Sequence, residues 1–151
     1  MNCKMDRRPA KVLVVEDHPD LLQFLDLVLT RHGWDVITSS SGREALDKLK
    51  YTSPRLILLD MWMPGMDGFE LARFLKRCPH YRDIPILAVT GLAGFDSREL
   101  CLEAGCDDYI AKPFTLADLR DRITRLLSRG GPGTEPAHRN EDEICKGIKK
   151  S

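Results

Sequence analysis

One feature limits the possible folds more than any other. Short apolar runs alternate, five times over, with longer segments whose apolar residues recur on a helical period. The runs are Val12-Leu13-Val14-Val15, Val36-Ile37, Leu56-Ile57-Leu58-Leu59, Ile86-Leu87-Ala88-Val89 and a weaker Tyr109-Ile110-Ala111. Their length and β-branched content suit buried strands. Between them lie stripes at helical spacing: Leu21, Leu22, Leu25, Val28 and Leu29; Leu71, Ala72, Leu75 and Cys78; Leu116, Leu119, Ile123, Leu126 and Leu127. A chain that runs β-α five times is predicted to be an α/β fold, a doubly wound five-stranded parallel sheet with helices on both faces.

The punctuation agrees with this division. Gly33 stops the first stripe and Pro79 the second. Ser41-Gly42-Arg43-Glu44 has capping-box spacing, and Asp67 with Glu70, then Asp96 with Glu99, repeat the cap-plus-acid spacing. The segment near residues 97–105 has the poorest stripe, because Leu100, Cys101, Leu102 and Ala104 spread around a helix. It is expected to pack less firmly than the others. Residues 1–9 read as a short N-terminal extension, 10–128 as one domain, and 129–151 as a flexible tail opening on Arg129-Gly130-Gly131-Pro132-Gly133.

Charge and cysteine usage exclude several classes. Lys plus Arg and Asp plus Glu are each 23, so no global basic field is available to hold nucleic acid or an anionic membrane. No apolar run approaches the ~18 residues a membrane span needs, and no secretory leader opens the chain. Five scattered cysteines without Cys-x-x-Cys argue for reduced thiols in a cytoplasmic protein rather than a disulfide framework or zinc site.

Ligands of an open parallel sheet bind beyond the carboxyl ends of its strands. Glu16-Asp17 follows the first strand, Asp60 the third, Thr90-Gly91 the fourth and Lys112-Pro113 the fifth. Three carboxylates gathered there repel one another; a pair at 4 Å costs on the order of 4 kcal/mol at an effective dielectric of 20. A hard divalent cation is the natural compensation, and Mg²⁺ takes oxygen ligands while sharing a phosphate oxygen. One carboxylate can then attack phosphorus, with Lys112 neutralising phosphoryl oxygens and Thr90 hydrogen-bonding one. Each residue also has a bland explanation. Glu16 and Asp17 suit a helix N-terminus before Pro19, Asp60 a turn ahead of Met63-Pro64-Gly65, Thr90 a strand end, and Lys112 a solvated lysine. Four strand ends carrying one chemistry jointly argue against coincidence.

These residues resemble the receiver domain of two-component response regulators, the family of the chemotaxis response regulator. The likeness rests on Val14-Val15-Glu16-Asp17, Leu59-Asp60-Met61-Trp62-Met63-Pro64-Gly65-Met66-Asp67-Gly68, Val89-Thr90-Gly91 and Asp108-Tyr109-Ile110-Ala111-Lys112-Pro113-Phe114, and covers about residues 10–128. It implies a flavodoxin-like (βα)5 fold with strand order 2-1-3-4-5, an order known from the chemotaxis regulator itself. It also implies that Asp60 accepts the phosphoryl group and that Mg²⁺ is held by Glu16, Asp17, Asp60 and the main-chain carbonyl of Trp62. Thr90 and Lys112 would bind the phosphoryl group, Thr90 and Tyr109 would form the switch, and the Lys112-Pro113 bond would be cis.

The resemblance further implies a sensor histidine kinase or histidine phosphotransfer protein as donor and a downstream protein target, with signalling through the face of the fourth helix, fifth strand and fifth helix. A phosphorylation-dependent homodimer is a further implication; enzyme turnover of a separate substrate, direct nucleic-acid contact and membrane contact are not expected. The tail, with five basic and four acidic residues, is too short for a further folded domain. The alternatives are a phosphorelay shuttle, a receiver cut from a larger regulator or hybrid kinase, and a phosphohydrolase. The last usually wants Asp-x-Asp, and Trp62 stands at its second acid. Trp62 and Leu92, both large and apolar, occupy positions that flank the phosphoryl group, so slow autodephosphorylation is expected.

Overall fold

A computed structural model describes residues 9–91 and 95–129, with only the main chain of 95–97. Five strands, β1 (Lys11–Val15), β2 (Asp35–Ser39), β3 (Leu56–Asp60), β4 (Ile86–Thr90) and β5 (Asp108–Ala111), alternate with five helices. These are α1 (Pro19–Arg31), α2 (Gly42–Leu49), α3 (Gly68–Arg77), α4 (Phe95–Glu103) and α5 (Leu116–Arg129). All pairings are parallel and the order is β2-β1-β3-β4-β5, as the resemblance implied.

Strand alternation divides the core into two layers. Leu13, Val15, Ile57, Leu59, Ile86 and Ala88 point to one face, where they pack with Ala45, Leu71, Leu75 and Cys101 from α2, α3 and α4 and with Ala104 just beyond α4. Val12, Val14, Leu56, Leu58, Leu87, Val89 and Ile110 point to the other, against Leu25 and Leu29 of α1 and Leu119, Ile123 and Leu126 of α5. Covering both faces makes the central strands apolar except at their ends, where Lys11, Asp60 and Thr90 stand.

Helix ends follow local chemistry. Ser41 Oγ accepts from Glu44 N–H at 3.0 Å, while Glu44 Oε1 accepts from Ser40 N–H and Oγ–H. Asp67 Oδ1 accepts from Glu70 N–H at 2.9 Å. The third expected cap differs: α4 begins at Phe95, so Asp96 lies inside the helix, because the chain enters its helical turn two residues earlier than the acid spacing suggested. α4 is unevenly buried, with Cys101 inside and Leu100 and Leu102 exposed.

Both sheet edges are closed by a basic side chain from the following helix. Glu16 N–H donates to Ser39 O, so the main-chain groups of Thr38 face the open edge of β2, and there Lys48 Nζ donates to Thr38 O. Lys112 N–H donates to Thr90 O, so the groups of Tyr109 face the open edge of β5. Arg122 Nη1 donates to Tyr109 O at 2.7 Å, and Tyr109 N–H donates to Asp108 Oδ1. Capped edges resist strand addition. Lys76 ties the opposite end of the molecule, donating to Arg82 O, Ile84 O and Asp107 Oδ2, while Asp107 also accepts from Ile86 N–H.

Cys101 and Cys106 are free and buried. Cys101 and Cys106 also share one core cluster, because α4 ends at Glu103 and the chain turns at Gly105. Cys3, Cys145 and the tail from residue 130 lie outside the described residues. Among the described residues no helix is long and apolar enough to cross a membrane.

Candidate functional site

The parallel order delivers the ends of β1, β3, β4 and β5 to one edge of the molecule, and with them the residues singled out in the sequence. Glu16, Asp17 and Asp60 each place a carboxylate oxygen within 4.8 Å of the others. Glu16 and Asp60 are buried and Asp17 half-buried. Lys112 Nζ stands 3.5 Å from Glu16 Oε1 and 3.9 Å from Asp60 Oδ1. The Lys112-Pro113 peptide is cis. Thr90 is fully buried at the end of β4, and Tyr109 is half-buried against the α2-α3-α4 layer. The sequence-derived carboxylates and lysine thus meet; Leu92 lies outside the described residues.

Main-chain donors help hold the acids. His18 N–H donates to Glu16 Oε2 at 3.1 Å as α1 begins, and Trp62 N–H donates to Asp60 Oδ1 at 3.3 Å. These contacts do not cancel the crowding. Burial first, and the charge of Glu16 next, push the Asp60 carboxyl from its ordinary 3.8 up to about 7; Lys112 and the Trp62 N–H oppose them. A buried acid kept half-protonated near neutrality by its neighbours is short of positive charge. Three oxygen ligands of this kind fit a hard divalent cation such as Mg²⁺.

Gly68 was missed by sequence reasoning and is indispensable to this geometry. A Cβ there would lie 2.5 Å from Asp60 O and 2.5 Å from Met61 Cα. Only glycine lets α3 start against the chain that carries Asp60, with Gly68 N–H donating to Met61 O at 3.1 Å. The signal was present, since Gly68 follows the Asp67 cap, but helix-start rules do not report a backbone approach from another element. Gly68→Ala is therefore expected to cost about 3 kcal/mol, at the upper end of overpacking, read as a lowered urea midpoint. An unchanged midpoint would contradict the close approach.

Comparison with known proteins gives a consistent result. The profile of a family described as "Response regulator receiver domain" matches residues 12–124. The alkaline phosphatase synthesis transcriptional regulatory protein PhoP of Bacillus subtilis is 36% identical over 134 residues, 89% of this chain and 55% of that protein. The chain spans about half the length of such curated relatives. Among solved structures, the receiver domain of a signal transduction histidine kinase from Syntrophus aciditrophicus is 38% identical with a TM-score of 0.77, covering 85% of this chain and 96% of that one. The receiver domain of the sensor histidine kinase PA1611 of Pseudomonas aeruginosa, solved with magnesium in its active-site cleft, is 32% identical with a TM-score of 0.74, covering 80% and 98%.

Proposed function

The chain belongs to the response regulator receiver domain family, and from that membership we propose that it is a phosphorylation-dependent signalling switch whose acceptor is Asp60. One observation carries the proposal: a carboxylate oxygen of buried Asp60 lies within 4.8 Å of carboxylate oxygens of Glu16 and Asp17, with the Lys112 ammonium beside them.

Each residue has a defined task. Glu16, Asp17, Asp60 and the main-chain carbonyl of Trp62 would hold Mg²⁺. When bound, the ion supplies the positive charge that keeps Asp60 ionised and neutralises phosphoryl oxygens. Asp60 attacks phosphorus and the donor's leaving group departs with the bonding electron pair. Lys112 carries a fixed charge to the incoming phosphoryl oxygens, and the Thr90 hydroxyl hydrogen-bonds one of them. The donor is a histidine kinase or histidine phosphotransfer protein, and no separate substrate is turned over. Magnesium-dependent labelling of Asp60 by acetyl phosphate tests the reading, and a chain that takes up no phosphoryl group overturns it.

Output follows from Thr90 and Tyr109. Phosphorylation can shift the domain only by as much as its two states differ in contact with the new group. Thr90 lies beside Asp60's strand, paired through β3-β4, and Tyr109 lies opposite Ala88 on β5. Movement of Thr90 toward the phosphoryl group would let Tyr109 turn inward and alter the α4-β5-α5 face, where a protein target or a second copy docks. Thr90→Ala is expected to keep labelling within about tenfold of wild type while abolishing the phosphorylation-induced shift of the Tyr109 ring in NMR spectra. A shift that persists in the variant would remove Thr90 from the switch.

A further inference from the structure

The turn by which the chain leaves α4 sets two thiols side by side. Cys106 N–H donates to Cys101 O at 3.0 Å and Gly105 N–H to Leu102 O at 3.0 Å, with Gly105 at a φ of 100°. Nested bonds of this kind over a left-handed glycine form the Schellman ending of a helix, which commonly brings the side chains at its two outer positions into contact. Those positions are Cys101 and Cys106. Covalent geometry across such a hydrogen bond keeps the two Cα atoms no more than ~7 Å apart, about the limit that a disulfide can bridge. Both side chains are buried, at 0% and 5% exposure, in the same core layer.

Each thiol is held from a different element. Among the described side chains of α4, residues 98–103, only Cys101 is buried. Cys106 is fixed through its neighbour: Asp107 donates N–H to Ile86 O and accepts through Oδ2 from Ile86 N–H and Lys76 Nζ. The pair lies at the amino end of β5, across the sheet from the carboxylate cluster, so its chemistry is separate from that of Asp60. Burial first, and the Cys101 sulfur next, push the Cys106 thiol up to about 12, and burial raises Cys101 as well. The thiols therefore rest protonated in the closed fold and react when the last turn of α4 opens locally.

We propose that Cys101 and Cys106 are a modification site, a dithiol that a peroxide converts into a disulfide stapling the end of α4 to the start of β5. Cys106, the less buried of the two, gives up its proton, and its sulfur takes one peroxide oxygen as the O–O bond breaks. The other oxygen leaves as hydroxide and becomes water with that proton. The Cys101 sulfur then attacks the resulting sulfenic acid, the S–O bond breaks, and the departing hydroxide takes the Cys101 proton as a second water. Two thiols are oxidised by two electrons in all, and one peroxide is reduced to two waters.

The test treats the reduced, folded full chain with hydrogen peroxide, then unfolds it in iodoacetamide and digests it with trypsin. Peptide 99–120 carries Cys101 and Cys106 and no other cysteine. In wild type its internally linked form is expected to exceed its sulfinic and sulfonic forms about tenfold, and dithiothreitol should restore alkylation at both sites. In Cys101→Ala and in Cys106→Ala, each shown to be folded by far-UV circular dichroism, the remaining thiol has no neighbour to capture its sulfenic acid. The sulfinic and sulfonic forms should then rise about tenfold. In the linked chain, amide hydrogen exchange over residues 102–106 is expected to slow about tenfold. Wild-type peptide that stays alkylated at both cysteines, passes to sulfinic and sulfonic acid, or links to another peptide overturns the pairing. Unchanged amide exchange in the linked chain overturns the staple.

Discussion

Incubated with Mg²⁺ and acetyl phosphate, the wild-type chain is expected to gain one phosphoryl group, and Asp60→Asn to gain none. An amide oxygen is a poor nucleophile, and removing an attacking group costs on the order of 10³-fold or more in rate. The amide nearly matches the carboxylate in shape, so it can still accept the Trp62 N–H now bonded to Asp60 Oδ1. Lys112→Ala belongs in the same experiment. Its ammonium stands 3.5 Å from Glu16 Oε1 and 3.9 Å from Asp60 Oδ1. Truncating it should slow labelling by roughly 10²-fold without abolishing it, as loss of one electrostatic contact to a developing charge does. Chelation by EDTA should stop labelling of wild type, because no cation then offsets the repulsion between the crowded acids and the incoming phosphoryl oxygens. Labelling that survives in Asp60→Asn would move the acceptor to another side chain; labelling unaffected by EDTA would detach the carboxylate cluster from the chemistry.

Strands and acids were legible in the sequence for the same reason: both are periodic or terminal features of single segments. Every apolar run became a strand, extended by one to three residues, at the carboxyl end as at Thr38-Ser39, Asp60 and Thr90 or at the amino end as at Lys11, Asp35 and Asp108. The carboxyl-end extensions are polar because they form the rim where ligands bind, so there hydrophobicity ends before hydrogen bonding does. What stayed hidden depends on contacts between distant segments. Lys76 on α3 reaches Asp107 before β5, and Arg122 on α5 reaches back to Asp108 and Tyr109. No spacing rule joins such positions. Gly68 reads locally as part of a turn, and its obligation appears only when Asp60 O lies beside it. α4 is the intermediate case. Its scattered apolar residues gave no firm stripe, and they did not show the start at Phe95 or the shared core cluster of Cys101 and Cys106.

The electrostatic strain at Asp60 also makes a stability prediction with a definite sign. In the unfolded chain Asp60 ionises near its ordinary 3.8, and in the metal-free fold near about 7. Between those values the folded state holds a proton that the unfolded state has released. Stability therefore falls as pH rises through this window, and the full penalty is present above it. Converted at ~1.36 kcal/mol per pH unit, the penalty is on the order of 4 kcal/mol, and Asp60 is buried enough for that figure to apply. Asp60→Asn carries no such charge. In EDTA at pH 8 the variant is expected to unfold at a higher urea concentration than wild type, with the gap closing as pH falls toward 4. Mg²⁺ should reverse the comparison in part, adding ~2.7 kcal/mol to wild type at one hundred times its dissociation constant and less to the variant. The residue that makes the pocket reactive is in this way the one that makes the empty pocket costly. Equal urea midpoints for the two proteins at pH 8 in EDTA would show that Asp60 bears no such strain, and the case for a cation-dependent acceptor would lose its electrostatic foundation.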